Sequence, residues 1–528
     1  VSKTAGSEAR RELLGRVGVA LFALVTVALV TLVGGAGLLW DDEFNYAAAA
    51  REIASGRPGY AFDTYTNYIR VYGFPYLEVH SRGGIQALAL AFRAFGASEA
   101  AAIVPSALAT VLLVLVAHEV ARKAGLERRL AALAAALVAL SPTVAGFAAT
   151  AFLEPAETLA VMLGAAAVVS RRSRVRVVLG AAASVLASAY VETGLLVPVA
   201  LGVAALVRER TGGATLRRSA LVAFVESAPA LLLAIATVAA FGAWFEGRRH
   251  EVIAWAIAQP LLGDDAWREG YGAATNMQPP PVNLTLLLAR ALKQAPLLVW
   301  SWQPVEGTGA SILLVHGIAA AAIFGLVRGR SPLVRGLAAF PLFLYAAKLT
   351  LLLFLHEAPR LNARHLAPES AGLIVAGVAA LAPALPEARR GRGAVLALTV
   401  AAVMLGIDLR VATARATRRE RLARYTETLG RIAAPGPGRV LVAYNAYRLP
   451  WDRPGSFALY PPATEATLAW LDARAPLEKL VLDPWEPLVA RTLAETGHPP
   501  QRLAGFELGT IDRSLGVSLL VYERRAPR

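Results

Sequence analysis

The chain has 528 residues, 56% of them hydrophobic and 17% charged, with a mean hydropathy of +0.51, whereas a soluble domain carries about a quarter charged residues. Its apolar residues fall in long Leu, Ala and Val blocks bounded by arginines, as required where each block crosses about 30 Å of hydrocarbon with about 20 residues. An ordinary soluble enzyme is excluded, and the absence of cysteine excludes disulfides, thiolate metal sites and cysteine nucleophiles. The net charge of +15 does not point to nucleic acid. The arginines flank apolar blocks, as Arg171, Arg172, Arg174 and Arg176 do, which is the pattern that orients a membrane protein.

The first apolar block, residues 17–39, follows Lys3, Arg10, Arg11 and Arg16. It exceeds the roughly 7 to 15 residues of a signal-peptide core and is expected to remain as an anchor. Further blocks cover 100–121, 130–150, 156–170, 177–190, 194–207, 219–243, 309–327, 333–356, 367–384 and 393–409, which makes a polytopic α-helical membrane protein of about 11 spans. With a cytoplasmic N-terminus, every inside loop is basic: Arg122 to Arg129, the 171–176 cluster, Arg208 to Arg218, Arg328 to Arg335, and Arg389 to Arg392. That alternation predicts an integral plasma (inner) membrane protein with its C-terminus outside. Arg248 and Arg249 fall on the outer side, but in a long loop where the charge rule is weaker. The blocks 177–190 and 194–207 are short, yet merging them breaks the alternation.

Three stretches on the outer side are too polar for lipid: 40–99, 244–308 and everything after about 410. Gly84 to Phe95 reads as an interfacial helix, and Trp244, Trp255, Trp267, Trp300 and Trp302 suit an aromatic belt. Arg410 to Arg431 reads as a charged linker helix. Beyond it, Arg439 to Tyr444, Lys479 to Asp483 and Val517 to Tyr522 read as strands, and Ala463 to Arg474 as a helix. The predicted organisation is a membrane domain over 1–410, a linker helix over 411–434, and a small extracytoplasmic α/β domain over 435–528.

Three clusters carry chemistry. Asp41, Asp42 and Glu43 stand where the first span leaves the membrane, where a carboxylate with a raised pKa can act as a general base; acids there also cap the following helix. Glu154-Pro155 and Glu157 open the fourth span on the same side, with the same two readings, since proline suits a first helical turn. Lys348 lies within the ninth span, roughly 12 Å below its outer end. It is followed by His356-Glu357-Ala-Pro359-Arg360 and by Arg364-His365-Leu366-Ala-Pro368. An ionisable group in a span is a functional candidate, and outward-facing guanidinium groups suit a lipid phosphate; an ion pair of Lys348 with Glu357 or Glu369 is the structural alternative.

Asp42-Glu43 followed by Tyr46-Ala47 and Arg51-Glu52 resembles the acidic motif after the first span of the GT-C glycosyltransferases, nearest to the branch of lipid A aminoarabinose transferases and protein O-mannosyltransferases. Glu154-Pro155 is similar to that branch's second acidic position, Ala189 to Pro198 to its break between short fifth and sixth spans, and Arg364 to Pro368 to its Arg-Tyr-x-x-Pro segment. Glu192 stands where a basic residue is common, His365 replaces the aromatic, and Val79 to Gly84 lacks the usual proline-rich form. The resemblance implies a GT-C-like membrane domain. It also implies transfer of a sugar from a polyprenyl-phosphate donor to an acceptor hydroxyl of a glycan, lipid or protein outside the cytoplasm, with inversion. In that scheme Asp42 is the base, and Glu154 and Glu43 complete the catalytic set. Lys348, Arg360, Arg364 and His365 hold the donor phosphate. Asp41, Tyr46, Glu157, His80 and Arg82 contact substrate. No metal or other cofactor is needed, membrane lipid is a partner, and nucleic acid is not. A transporter or flippase of a lipid-linked substrate is the alternative; it predicts inverted repeats, which the sequence lacks.

Overall fold

The computed structural model describes residues 2–35, 37–39, 41–56, 82–242, 320–329, 331–355, 367–382, 387–432, 440–442, 448, 451, 479–482, 484, 487–503, 505–514 and 518–524. In chain order the main helices are α1 Ser2–Gly34, α2 Asp41–Ala54, α3 Arg82–Phe95, α4 Val104–Lys123, α5 Arg128–Ala139, α6 Pro142–Ala148, α7 Glu154–Val169, α8 Ser173–Tyr190, α9 Leu196–Thr211, α10 Leu216–Gly242, α11 Pro332–Leu355, α12 Ala367–Leu381 and α13 Glu387–Ile432. Among the described residues, Glu12–Gly34, Glu99–Lys123 and Leu216–Ala240 are long and apolar enough to cross a membrane. Large apolar side chains stand exposed on α1 and α10, among them Leu24, Leu32, Phe224 and Leu232. A surface of that kind is suited to hydrocarbon.

Proline marks where several helices begin. Pro105, Pro142 and Pro155 each occupy a first-turn position, where the missing N–H costs nothing and φ is already helical. Pro142 also corrects one expected span: the block 130–150 is not a single helix but α5 and α6, broken at Leu140-Ser141. The short blocks 177–190 and 194–207 are separate helices, α8 and α9, divided by a 3-10 turn Glu192–Leu195. Block 309–327 is described only from residue 320, and the outer stretch 244–308 lies outside the described residues.

Packing between these helices relies on small residues. Ala134, Ala160, Ala165, Ala187, Ala200 and Ala204 are fully buried in the central core. Gly164 on α7 faces Phe340 of α11, and a Cβ there would collide with the ring. Lipid tails are as apolar as leucine, so helices in a bilayer associate through such close backbone approach rather than through water exclusion.

The charged stretch expected as a linker helix is the C-terminal half of one 46-residue helix, α13, which begins at Glu387. Its last turns carry a five-stranded sheet of β1 Val440–Val442, β2 Lys479–Leu482, β3 Arg502–Leu503, β4 Phe506–Asp512 and β5 Leu519–Arg524, in the order β1-β2-β5-β4-β3. Only β1 and β2 pair in parallel. Leu429 packs against Val481, Leu519 and Val521, with Tyr425 and Ile432 beside them. Three of these strands fall in stretches read as strands from sequence. The sequence reading missed β3, β4 and a helix over Pro487–Thr496, and the helix expected over Ala463 to Arg474 lies outside the described residues.

The helix ends sort by charge. Arg16, in the middle of α1 just ahead of its apolar stretch, bonds Glu119 near the end of α4. Arg176 and Arg208 both reach Glu226 where α8, α9 and α10 meet. These basic termini share one end of the bundle, and the acidic motifs share the other.

Candidate active site

The site is organised by the turn that follows α1. Gly35 sits at φ +73°, a left-handed backbone that favours glycine, and a Cβ on Gly37 would run into the Glu99 carboxylate. Three charged side chains saturate the turn's backbone. Arg419 donates to the carbonyls of Gly34, Gly35 and Gly37. Glu99 Oε2 accepts the Leu38 N–H at 2.9 Å, and Glu43 Oε2 accepts the Leu39 N–H at 3.0 Å.

Glu43 does more than close its own helix. Its other oxygen, Oε1, accepts the Ala151 N–H at 2.8 Å, and the side chain is fully buried. Ala151 lies three residues before Glu154, and Glu43 follows Asp42. One carboxylate thus stitches the first acidic motif to the loop that carries the second. Ser106 Oγ donates to the Phe152 carbonyl at 3.1 Å and fixes the same loop to α4. Phe44, Ile85, Leu88, Phe147, Phe152 and buried Tyr46 fill the space between α2, α3 and that loop.

Behind the turn stands a cationic wall from α13. Arg415 is buried and donates to the Gly146 carbonyl. Burial pushes its guanidinium down to about 10, and Glu43 is the strongest charge opposing that shift. Arg419 is lowered too, again by burial, with Glu43 and Glu99 opposing. These arginines were missed in the sequence. Arg415 and Arg419 are four apart and so share a helix face, but other arginines surround them along the same helix.

On α7, Glu154 is the first residue and Pro155 the second, with no side-chain cap from Leu153. Glu154 is 7% exposed and Glu157, one turn further, 4%. Carboxylates here gain from the helix dipole, yet Glu157 has a more specific partner. Lys348 of α11, also buried, donates to Glu157 and pairs with Glu369 of α12 at 2.9 Å. The ion pair with Glu369, one of the two readings open for Lys348, is present, and Glu157 joins it. Its cation is set between two carboxylates on three helices.

The other candidates are placed as follows. Asp41 and Asp42 are the first two residues of α2, and Arg82 is the first residue of α3; their side chains lie outside the described set. His80, Arg360, Arg364 and His365 lie outside the described residues. Two residues that follow β1 also reach this end. Arg448 pairs with Glu99 at 2.9 Å and lies 5.7 Å from the Phe44 ring centroid. Trp451 accepts a hydrogen bond from Arg51 at 3.0 Å through its carbonyl, takes the same guanidinium on its ring at 4.7 Å, and rests on Phe92. A void of about 10 Å³ beside Leu153 and Tyr190 has room for about one water. Among the described residues no cluster of three His, Asp or Glu side chains is arranged to hold a metal ion.

No protein-family model matches this sequence, and no curated protein matches it. Solved structures do. ArnT from Cupriavidus metallidurans bound to undecaprenyl phosphate is similar with a TM-score of 0.54 at 15% identity, over 96% of this chain and 98% of that one. The apo form of the same protein gives 0.54 at 16% identity over the same shares. The Archaeoglobus fulgidus oligosaccharyltransferase, in complex with zinc and sulfate, gives 0.51 at 14% identity over 95% of this chain and 73% of that one. Both proteins are GT-C superfamily members, and this chain has the GT-C fold over most of its length.

Proposed function

We propose that this GT-C-fold protein is a membrane glycosyltransferase that takes its sugar from a polyprenyl-phosphate donor. The supporting observation is the Glu43 carboxylate, which ties the Asp42 segment to the Glu154 loop through the Leu39 and Ala151 amides. Two acidic motifs about 110 residues apart in the sequence then share one end of the bundle, the arrangement that positions an acceptor between a base and a second carboxylate.

In this reading the Asp42 carboxylate takes the proton of the acceptor hydroxyl. The acceptor oxygen attacks the anomeric carbon from the face opposite the phosphate. The bond from that carbon to the phosphate oxygen breaks, leaving polyprenyl phosphate and an inverted glycoside. Glu154 orients the acceptor. Glu43, with its oxygens on backbone amides, is a positioning residue that fixes the start of α2. The charge of Lys348 is set against Glu157 and Glu369, so stabilisation of the departing phosphate falls to Arg360, Arg364 and His365. Arg448 and Trp451 lay the C-terminal region against α2 and α3, which suits a role in covering the acceptor side. The chemistry is proposed for the outer side of the membrane, where the acidic end falls if the basic end is cytoplasmic.

The test uses the purified full chain with a polyprenyl-phosphate sugar and a glycan, lipid or protein acceptor, reading the covalent product by mass spectrometry. Released polyprenyl phosphate in proportion to glycosylated acceptor is the expected result. Movement of lipid-linked substrate across liposomes with no covalent product would instead establish a transporter.

A further inference from the structure

At the end of the bundle opposite Glu154, α8 and α10 begin side by side. The 16 residues of α7 put this end about 24 Å from the acidic motifs. Between the two helices runs a groove of about 630 Å³. Its floor is built: Arg176 Nε donates to Glu226 Oε1 at 2.7 Å, and Arg208 Nη2 donates to Glu226 Oε2 at 3.0 Å. Arg208 also pairs with Glu209 at 3.2 Å, so the floor is a balanced cluster of two guanidinium groups and two carboxylates, and any excess positive charge comes from the arginines at the mouth.

The walls are amphiphilic along their length. On α8, Arg174 lines the mouth and Val178, four residues on and 65% exposed, continues the same ridge. On α10, Arg217 in the first turn is followed at the same spacing by Leu221 and Val225, which are 62% and 55% exposed. Residues four apart lie on one helix face, so Arg174 lines the groove ahead of Val178, while Arg217, which does not itself line it, precedes the lining residue Leu221 by one turn at the head of α10. Arg174 and Arg217 have no acidic or hydrogen-bonding partner for their side chains among the described residues.

We infer that this groove binds one anionic phospholipid, its phosphate held between Arg174 and Arg217 and an acyl chain lying along Val178, Leu221 and Val225. Arginines with no partner among the described residues, one lining the groove and one a turn ahead of it, with apolar walls behind them match a phosphate carried on hydrocarbon, and basic pockets between membrane helices take such head groups. The occupant is a membrane lipid rather than the sugar donor, because the groove and the acidic motifs lie at opposite ends of the bundle. The inference holds whatever reaction the acidic end performs.

The experiment follows lipid retention by native mass spectrometry, together with melting temperature, for the full chain in detergent supplemented with phosphatidylglycerol or phosphatidylcholine. The expected result is retention and a raised melting temperature with phosphatidylglycerol only. Arg174→Gln/Arg217→Gln should weaken that binding about tenfold without lowering the melting temperature in the absence of lipid, since neither side chain has a partner to lose among the described residues. Val178→Trp, which fills the groove while keeping both arginines, should abolish retention and serves where the double variant expresses poorly. Undiminished retention in these variants, equal binding of phosphatidylcholine, or the same stabilisation by inorganic phosphate alone would overturn the assignment.

Discussion

Glu43 and Glu226 are both buried carboxylates, one at each end of the bundle, and the protein uses them in opposite ways. Glu226 is met by two side chains, Arg176 and Arg208, each from a neighbouring helix. That contact locks helix to helix, and a neutral packed replacement could serve in its place. Glu43 accepts from two main-chain amides on separate loops, and its charge also acts on the buried guanidinium groups of Arg415 and Arg419. Such a contact fixes backbone positions that no apolar side chain can hold, because the amides would be left unsatisfied in a dry interior. The basic end is thus fastened for packing and the acidic end for geometry, as the proposed reaction would require.

The sharpest way to break this contrast is Asp42→Asn. Removal of a general base typically costs about a hundredfold to ten-thousandfold in rate, and the loss should come without a fall in melting temperature. A fully active variant would remove Asp42 from the mechanism. Next in size is Lys348→Met, which strands Glu157 and Glu369 in the core and should destabilise the protein by about 3–5 kcal/mol. Unfolding by denaturant in detergent measures it, and neutralising Glu157 and Glu369 in the same chain should restore stability. If Lys348→Met instead raised the KM for donor at unchanged stability, the lysine would be a phosphate anchor after all.

Glu226→Gln tests the basic end. It should cost about 2 kcal/mol while specific activity per folded molecule stays unchanged, the reverse of Asp42→Asn. The smallest effect belongs to the sheet. Asp512 accepts from the Ser514 hydroxyl at 2.6 Å and the Ser514 N–H at 2.9 Å, and pairs with Arg431 at the end of α13. These contacts, the Ser514 hydroxyl foremost, hold its carboxyl below its ordinary 3.8. A lowered folded pKa gives a contribution that is complete above 3.8 and is lost as pH falls through the folded value. Acid titration of stability should therefore be shallower in Asp512→Asn than in the parent below pH 3.8.

Much of the fold was legible because hydrophobic blocks and arginine clusters are read locally. α4, α7, α8, α9 and α10 fall close to their expected blocks, and Glu154 opens its helix as Pro155 implied. The break at Pro142 was less visible, since Ala and Leu continue on both sides. Within the candidate site, the two acidic motifs could be found from their carboxylates, but the link between them could not. Neither Ala151, an unmarked alanine whose amide is what matters, nor Arg415 and Arg419 carries a local signal. The partners of Lys348 were half visible: Glu369 follows it by 21 residues in the chain, whereas Glu157 precedes it by 191.

Composition and charge order by themselves determined that this chain is a bundle of apolar helices with basic and acidic ends, because burial in hydrocarbon and helix-end charge act residue by residue. Which carboxylate serves a backbone amide and which pairs with a lysine was decided only when distant segments met. Those assignments depend on distances of about 3 Å between hydrogen-bonding atoms, and a linear pattern carries no distances.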